Sequence, residues 1–436
     1  MYHNIALYYT TMEIYINYIT IKAPMKESIQ RWNIWWEKPQ EIRRFIGTER
    51  TVLDQIIKEQ KIPHIKDMIG VRRCGKTILM YQIISRLIEK GTQPKNILYL
   101  NFDDPELSDL EETIKTSLHI HPDISYIFLD EIQNIKEWER TIRVYYDRKK
   151  FKQIFVSGSS ASLISRDIGK TLTGRHVTKI LLPFSFKEYL TYYALEKPKD
   201  IANREKVIHF LESYLKKGGF PETIGADDLT SNTILVDLYN DILSRDIVSR
   251  FDADLDIVKK LGYYLMTNIG TVFSYNSIAR ALDVHYDTVK KYIPYFEEVF
   301  LFFVVPFFSW KMKTTVKKDM KCYAIDTGLR NAVSFTFSKD LGKLAENLVL
   351  IELKRKKTDV YFWRGKREVD FIIREGSTLT AMNVTYTNNI AKREKEGLFE
   401  FRERYKNAQL VLITKELEQR DTDKITYIPL WKWLIS

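Results

Sequence analysis

Gly70-Val71-Arg72-Arg73-Cys74-Gly75-Lys76-Thr77 is the stretch whose reading decides the fold. It fits the pattern GxxxxGK[ST] at every position, and its setting supports the fit. The run Ile65–Ile69 before it predicts a strand. After it, Ile78, Leu79, Ile83, Ile84, Leu87 and Ile88 make the apolar stripe of a helix that stops at Gly91. A strand, a glycine-rich turn and a helix start together aim backbone N–H groups and the positive helix end at phosphate oxygens. In that arrangement Gly70, Val71, Arg72, Arg73, Cys74 and Gly75 line the cradle. Lys76 reaches the β- and γ-phosphates, and the Thr77 hydroxyl coordinates Mg2+. One detail fits poorly: Lys66 and Asp67 stand where a central strand is normally apolar.

Downstream, Tyr126-Ile127-Phe128-Leu129-Asp130-Glu131 is an apolar strand ending in two carboxylates. The first acid at such a strand tip holds Mg2+, and a following Glu orients or deprotonates the attacking water. Asp130 is therefore the expected metal residue and Glu131 the expected base. Ile154-Phe155-Val156 runs into Ser157, Gly158, Ser159 and Ser160, where a hydroxyl is placed to sense the terminal phosphate. Ser157 is the candidate, with Ser159 equally placed in sequence. Arg175, after Gly174, is the candidate for stabilising transition-state charge.

The chain has 436 residues, enough for two to four domains that each bury a core. With 44% apolar and 29% charged residues it reads as folded throughout, and a net charge of +11 suits polyanionic partners. Its two cysteines, Cys74 and Cys322, exclude a disulfide framework or a four-cysteine zinc site, and a reducing cytoplasm is expected. The longest apolar run, Val299–Phe308, is too short to span a membrane and reads as a buried strand. Residues 1–24 read as a poorly packed extension or a mis-called start. Strands are expected at Ile97–Phe102, Tyr126–Leu129, Ile154–Val156 and Lys179–Leu182, alternating with helices, which predicts a parallel sheet.

Further marks extend along the chain: Trp35 and Trp36, LDEIQ at Leu129–Gln133 with Trp138, LTGR at Leu172–Arg175 and PFSFKEY at Pro183–Tyr189. GGFPE at Gly218–Glu222, RDIV at Arg245–Val248, YAIDTGL at Tyr323–Leu329 and EVDF at Glu368–Phe371 follow. With the loop, these resemble the archaeal-type P-loop ATPases of the AAA-like superclass that carry a winged helix and a C-terminal restriction-endonuclease-like domain. The resemblance implies an α/β fold: a parallel P-loop NTPase sheet of AAA-like order, a helical lid, a winged helix and a C-terminal α/β restriction-endonuclease-like domain. It also implies ATP as nucleotide, Gln133 near the water and Arg175 near the phosphates. The expected divisions are 1–40 (extension and leader), 41–184 (ATPase core), 185–258 (lid), 259–335 (winged helix) and 336–436 (restriction-endonuclease-like).

Within the expected winged helix, the second helix carries Tyr286, Lys290 and Lys291 on the face opposite Val289, Ile293 and Phe296. Lys311, Lys313, Lys317, Lys318 and Lys321 fall where a wing would touch phosphate. Asp287, Glu297 and Glu298 dilute this charge, so DNA and a protein stand as alternative partners. In the last domain, Glu346 and Asp370 match a nuclease layout, but the third strand reads Asn383-Val384-Thr385 where Glu-x-Lys is needed. The domain is expected to be catalytically degenerate. The leading expectation is an Mg2+-dependent ATPase that acts on a nucleic-acid or protein partner. The alternatives are a nucleotide-gated DNA-binding switch and an ATP-regulated nuclease of a mobile or defence element.

Overall fold

The computed structural model describes residues 23–159, 172–195, 201–311, 319–334, 341–420 and 424–436. The N-terminal extension up to residue 22, Ser160, and the wing lysines Lys313, Lys317 and Lys318 lie outside the described residues. The chain divides into two compact units. One runs up to Ile69 and resumes over Gly75–Ile180; the other comprises Gly70–Cys74 and Leu181–Ser436.

The first unit is built on five strands: β1 (Ile65–Ile69), β2 (Ile97–Asn101), β3 (Tyr126–Asp130), β4 (Gln153–Gly158) and β5 (His176–Ile180). They pair in parallel in the order β2-β3-β4-β1-β5. Central strands are apolar on both faces because helices cover both, and Phe128 of β3 stacks on Phe155 of β4 at 4.4 Å. The helix Lys76–Glu89 buries the expected stripe, Leu79, Ile83, Ile84 and Leu87 included.

The polar residues of β1 find their explanation in β5. Asp67 is fully buried, and its Oδ2 takes His176 Nδ1 at 2.6 Å and the Thr178 hydroxyl at 2.8 Å. β5 therefore begins at His176, three residues before the expected start, because its alternate positions serve a buried carboxylate and carry no apolar signal.

Ahead of the sheet, the leader folds against the edge strand β2. Both Asn33 side-chain groups bond the main chain of Tyr99, accepting from its N at 2.7 Å and donating to its O at 2.8 Å. The indole N–H groups of Trp35 and Trp36 both donate to Ile97 O.

In the second unit, helix Asp228–Asp241 continues into a π-helix, Ile242–Val248. A short strand β6 (Val272–Phe273) precedes helices Tyr275–Leu282 and Tyr286–Glu298. The strands β7 (Phe302–Pro306) and β8 (Met320–Ala324) then complete a sheet of order β6-β8-β7. Helix Leu341–Arg355 leads into β9 (Asp359–Arg364), β10 (Glu368–Glu375), β11 (Thr378–Val384), β12 (Gln409–Thr414), β13 (Gln419–Arg420) and β14 (Ile425–Pro429). Their order is β13-β14-β12-β11-β10-β9. Helix Lys392–Arg404 packs on β10 and β11.

Two motifs far apart in sequence meet here. Asp326 Oδ2 accepts from Gly219 N at 2.7 Å, and its Oδ1 caps helix Thr327–Val333 through Leu329 N at 2.9 Å. Gly328 is required because a Cβ there would stand 2.0 Å from Lys217 O. Among the described residues, no helix is long and apolar enough to cross a membrane.

Candidate active site

In the first unit, Asp130, Glu131 and Ser157 converge at the C-terminal ends of β3 and β4. Gly75 takes a left-handed conformation, φ 97°, as N-cap of the helix that Lys76 and Thr77 open. Lys76 is buried, at 4% exposure. The Thr77 hydroxyl donates to Asp130 Oδ2 at 2.6 Å. Asp130 is fully buried, and its carboxylate accepts from further donors: Tyr99 OH on Oδ2 at 2.7 Å, Glu131 N on Oδ1 at 3.1 Å, and the Ser157 hydroxyl on Oδ1. A hydroxyl and a carboxylate facing each other are the hard oxygen donors that Mg2+ takes, so these residues fit the expected ion.

Glu131 adopts φ 52° and ψ 41°, a left-handed conformation that costs a non-glycine residue roughly 1 kcal/mol or more. That conformation breaks the strand sharply after Asp130. Gln133 Nε2 donates to Glu131 Oε2, and Glu131 N is also within 3.2 Å of Ser157 Oγ. Burial, together with the neighbouring Asp130 carboxylate, pushes the Glu131 carboxyl above the ordinary range, while Lys76 opposes the shift. A carboxylate with a raised pKa can take a proton near neutral pH.

Gly70–Cys74, the first five residues of the loop, group with the second unit. Gly70 has φ 157°, and a Cβ on it would stand 2.0 Å from Leu181 O, so a side chain is excluded. Arg72 forms a two-pronged pair with Asp246 of the π-helix, Nε to Oδ2 at 3.1 Å and Nη2 to Oδ1 at 3.0 Å. Arg73 Nη1 lies 3.0 Å from Glu222 Oε2, and Cys74 is buried and takes part in no disulfide.

Arg175 stands elsewhere. It precedes β5, its carbonyl accepts from Ile65 N at 2.8 Å, and its Nε lies 3.0 Å from Asp147 Oδ1. Because β1 and β5 run in parallel with Ile65 beside His176, Arg175 lies at the start of the strands, whereas Asp130 lies at a strand end. A five-residue strand separates those ends by roughly 17 Å, so the expectation that Arg175 acts near the phosphates is not met within one chain. Tyr99 belongs to no motif in the sequence. Its signal is the register of Tyr99 beside Phe128, which puts Asp130 on the diagonal.

Lys321 corrects the reading of the wing. It lies inside β8 at 1% exposure, with Nζ 3.0 Å from Glu346 Oε1, 2.7 Å from Glu368 Oε1 and 3.3 Å from Asp370 Oδ1. The lysines before it in sequence make it look like a surface residue, but three carboxylates are what balance the buried charge. Asn383 is structural: its Oδ1 accepts from Asp370 N at 3.0 Å and its Nδ2 donates to Glu394 O at 2.9 Å. Among the described residues, no group of three or more acidic, His or Cys side chains is arranged to hold a metal ion.

Residues 63–190 match the family model described as an AAA domain. Residues 208–340 and 341–433 match two domains of unknown function, DUF8612 and DUF4143. An uncharacterized protein of Haemophilus influenzae is 30% identical over 400 residues, covering 88% of this chain and 97% of that protein. An uncharacterized protein of Methanocaldococcus jannaschii is 30% identical over 422 residues, covering 90% of this chain and 93% of that one. A Walker-type ATPase structure from Pyrococcus abyssi aligns with a TM-score of 0.44 at 11% identity, covering 66% of this chain and 95% of that chain.

Proposed function

We propose an Mg2+-dependent ATP hydrolase, from the premise that the chain belongs to an AAA-like P-loop ATPase family together with the Haemophilus influenzae and Methanocaldococcus jannaschii proteins. The observation that carries the reading is the contact of Thr77 Oγ1 with Asp130 Oδ2 at 2.6 Å, with Glu131 following directly in the chain. In this reading the loop's backbone and Lys76 bind the β- and γ-phosphates of ATP. Thr77 and Asp130 hold the hydrated cation, which neutralises phosphate charge when bound. Glu131 takes the proton of the attacking water, and Gln133, bonded to Glu131, keeps that carboxylate oriented. Ser157 holds Asp130.

The partner is nucleic acid or protein. Helices Tyr275–Leu282 and Tyr286–Glu298 with β6, β7 and β8 follow the element order of a winged helix, and Tyr286, Lys290 and Lys291 are exposed on the second helix. This supports DNA as the first partner to test. Arg72 and Arg73 give the loop ion pairs to the helical segment, which is a route by which nucleotide state alters partner affinity. The last domain is read as restriction-endonuclease-like without nuclease chemistry, because Lys321 occupies its carboxylates.

The test is ATP turnover by the full chain with Mg2+, measured alone and with single-stranded DNA, duplex DNA and RNA. Turnover stimulated by one of these supports the enzyme reading. Nucleotide-dependent DNA binding with negligible turnover favours the gated switch instead. No Mg2+-dependent nucleotide binding at all overturns the proposal.

A further inference from the structure

We infer that Tyr99 is a positioning residue for the cation-holding carboxylate, fixing Asp130 from the edge strand while the leader fixes Tyr99; this rests on the ATPase reading above. Asp130 Oδ2 receives two hydroxyls, Thr77 at 2.6 Å and Tyr99 at 2.7 Å. Thr77 belongs to the loop that must accommodate phosphate, so its hydroxyl serves both the ligand and the carboxylate. Tyr99 lies on a strand outside the loop. It is fully buried on β2 and approaches Asp130 across the β2–β3 pair.

The tyrosine is held from every side. Its main-chain N and O are both bonded by Asn33. Its ring lies 4.9 Å from Tyr81, 5.9 Å from Trp32 and 6.3 Å from Trp35, centroid to centroid. A phenol confined in this way cannot follow a rotating carboxylate, so it selects one orientation of Asp130. A charge-assisted O–H···O bond is among the stronger hydrogen bonds, and partners that orient a metal's ligands typically govern metal affinity by 10- to 100-fold. The aromatic and polar leader, Asn33 to Trp36, thereby contributes to the cation site from a distance in sequence.

The experiment is a Mg2+ titration of fluorescent ATP-analogue binding to the full-length protein, wild type against Tyr99→Phe, which removes only the hydroxyl oxygen. The half-saturating Mg2+ concentration is expected to rise about tenfold or more, while analogue binding without Mg2+ stays within about twofold of wild type. Asn33→Ala, which loosens β2 without touching the phenol, is expected to shift the same value in the same direction and serves if Tyr99→Phe fails to fold. A wild-type Mg2+ response left unmoved in whichever variant folds overturns the inference alone. Wild-type protein with no Mg2+-dependent nucleotide binding overturns the ATPase reading, and the inference with it.

Discussion

Lys321 and Glu346 form a 3.0 Å ion pair joining β8 to helix Leu341–Arg355, and Tyr323 OH donates to the same Glu346 oxygen at 2.6 Å. Burial and the neighbouring Asp370 carboxylate push Glu346 above its ordinary range, and Lys321 opposes them. Removing the lysine leaves carboxylates facing one another in a desolvated site. Lys321→Met is therefore expected to cost about 3–5 kcal/mol, read as a lowered urea midpoint, with the loss shrinking in acid as the carboxylates protonate. An unchanged midpoint at pH 7 would show that the cluster is solvated.

Lys76→Ala is expected to abolish nucleotide binding or weaken it greatly. The lysine is the cation at the end of the loop motif, and no backbone group replaces its charge at the terminal phosphates. Calorimetric ATP affinity equal to wild type would refute the assignment of the loop.

Glu131→Gln is expected to retain binding and slow turnover by about 10²- to 10⁴-fold. The wild-type pH profile carries a second signature. Because burial raises the Glu131 pKa, the base is lost to protonation as pH falls through a value above the ordinary glutamate range. The acid limb of turnover should lie there, and an acid limb at or below the usual value would assign the base elsewhere.

Asp326 gives a stability prediction with the opposite sense to a surface carboxylate. Burial pushes it up to about 6, from an ordinary value of 3.8. Between those values the folded chain holds a proton that the unfolded chain has released, so stability falls as pH rises from about 4 to 6. The difference amounts to about 3 kcal/mol. Asp326→Ala should flatten this pH dependence while losing the helix cap and the Gly219 contact. Denaturant midpoints across that range for both proteins decide it.

Plasmid DNA should remain uncut by the wild-type protein in Mg2+ or Mn2+. Asp370 bonds Val384 N and Lys321, and Asn383 is committed to main-chain groups. Nicking that disappears in Asp370→Ala would restore the nuclease reading.

The loop and the Asp130–Glu131 tip were legible because both are local patterns with fixed spacing from a strand. What could not be read depends on register between distant segments. Tyr99 looks like an ordinary strand aromatic until β2 is set beside β3. Lys321 looks like one more wing lysine until helix Leu341–Arg355 and β10 close over it. The start of β5 was missed because His176 and Thr178 answer Asp67, so the polar residues that made β1 look anomalous also hid its neighbour. GGFPE and YAIDTGL were recognisable separately, but only the fold makes Asp326 the link between them. The late strands β13 and β14 went unread.

The Asn33 and indole bonds to β2 have a bearing on solubility. β2 is the outermost strand on its side of a parallel sheet, and an outer strand exposes unpaired main-chain donors and acceptors that can recruit a strand from another molecule. Here side chains of the leader occupy those groups at Ile97 and Tyr99 without forming a strand that could itself be extended. The leader thus acts as a terminator of sheet growth. Chains shortened past Trp36 should self-associate through that uncovered margin.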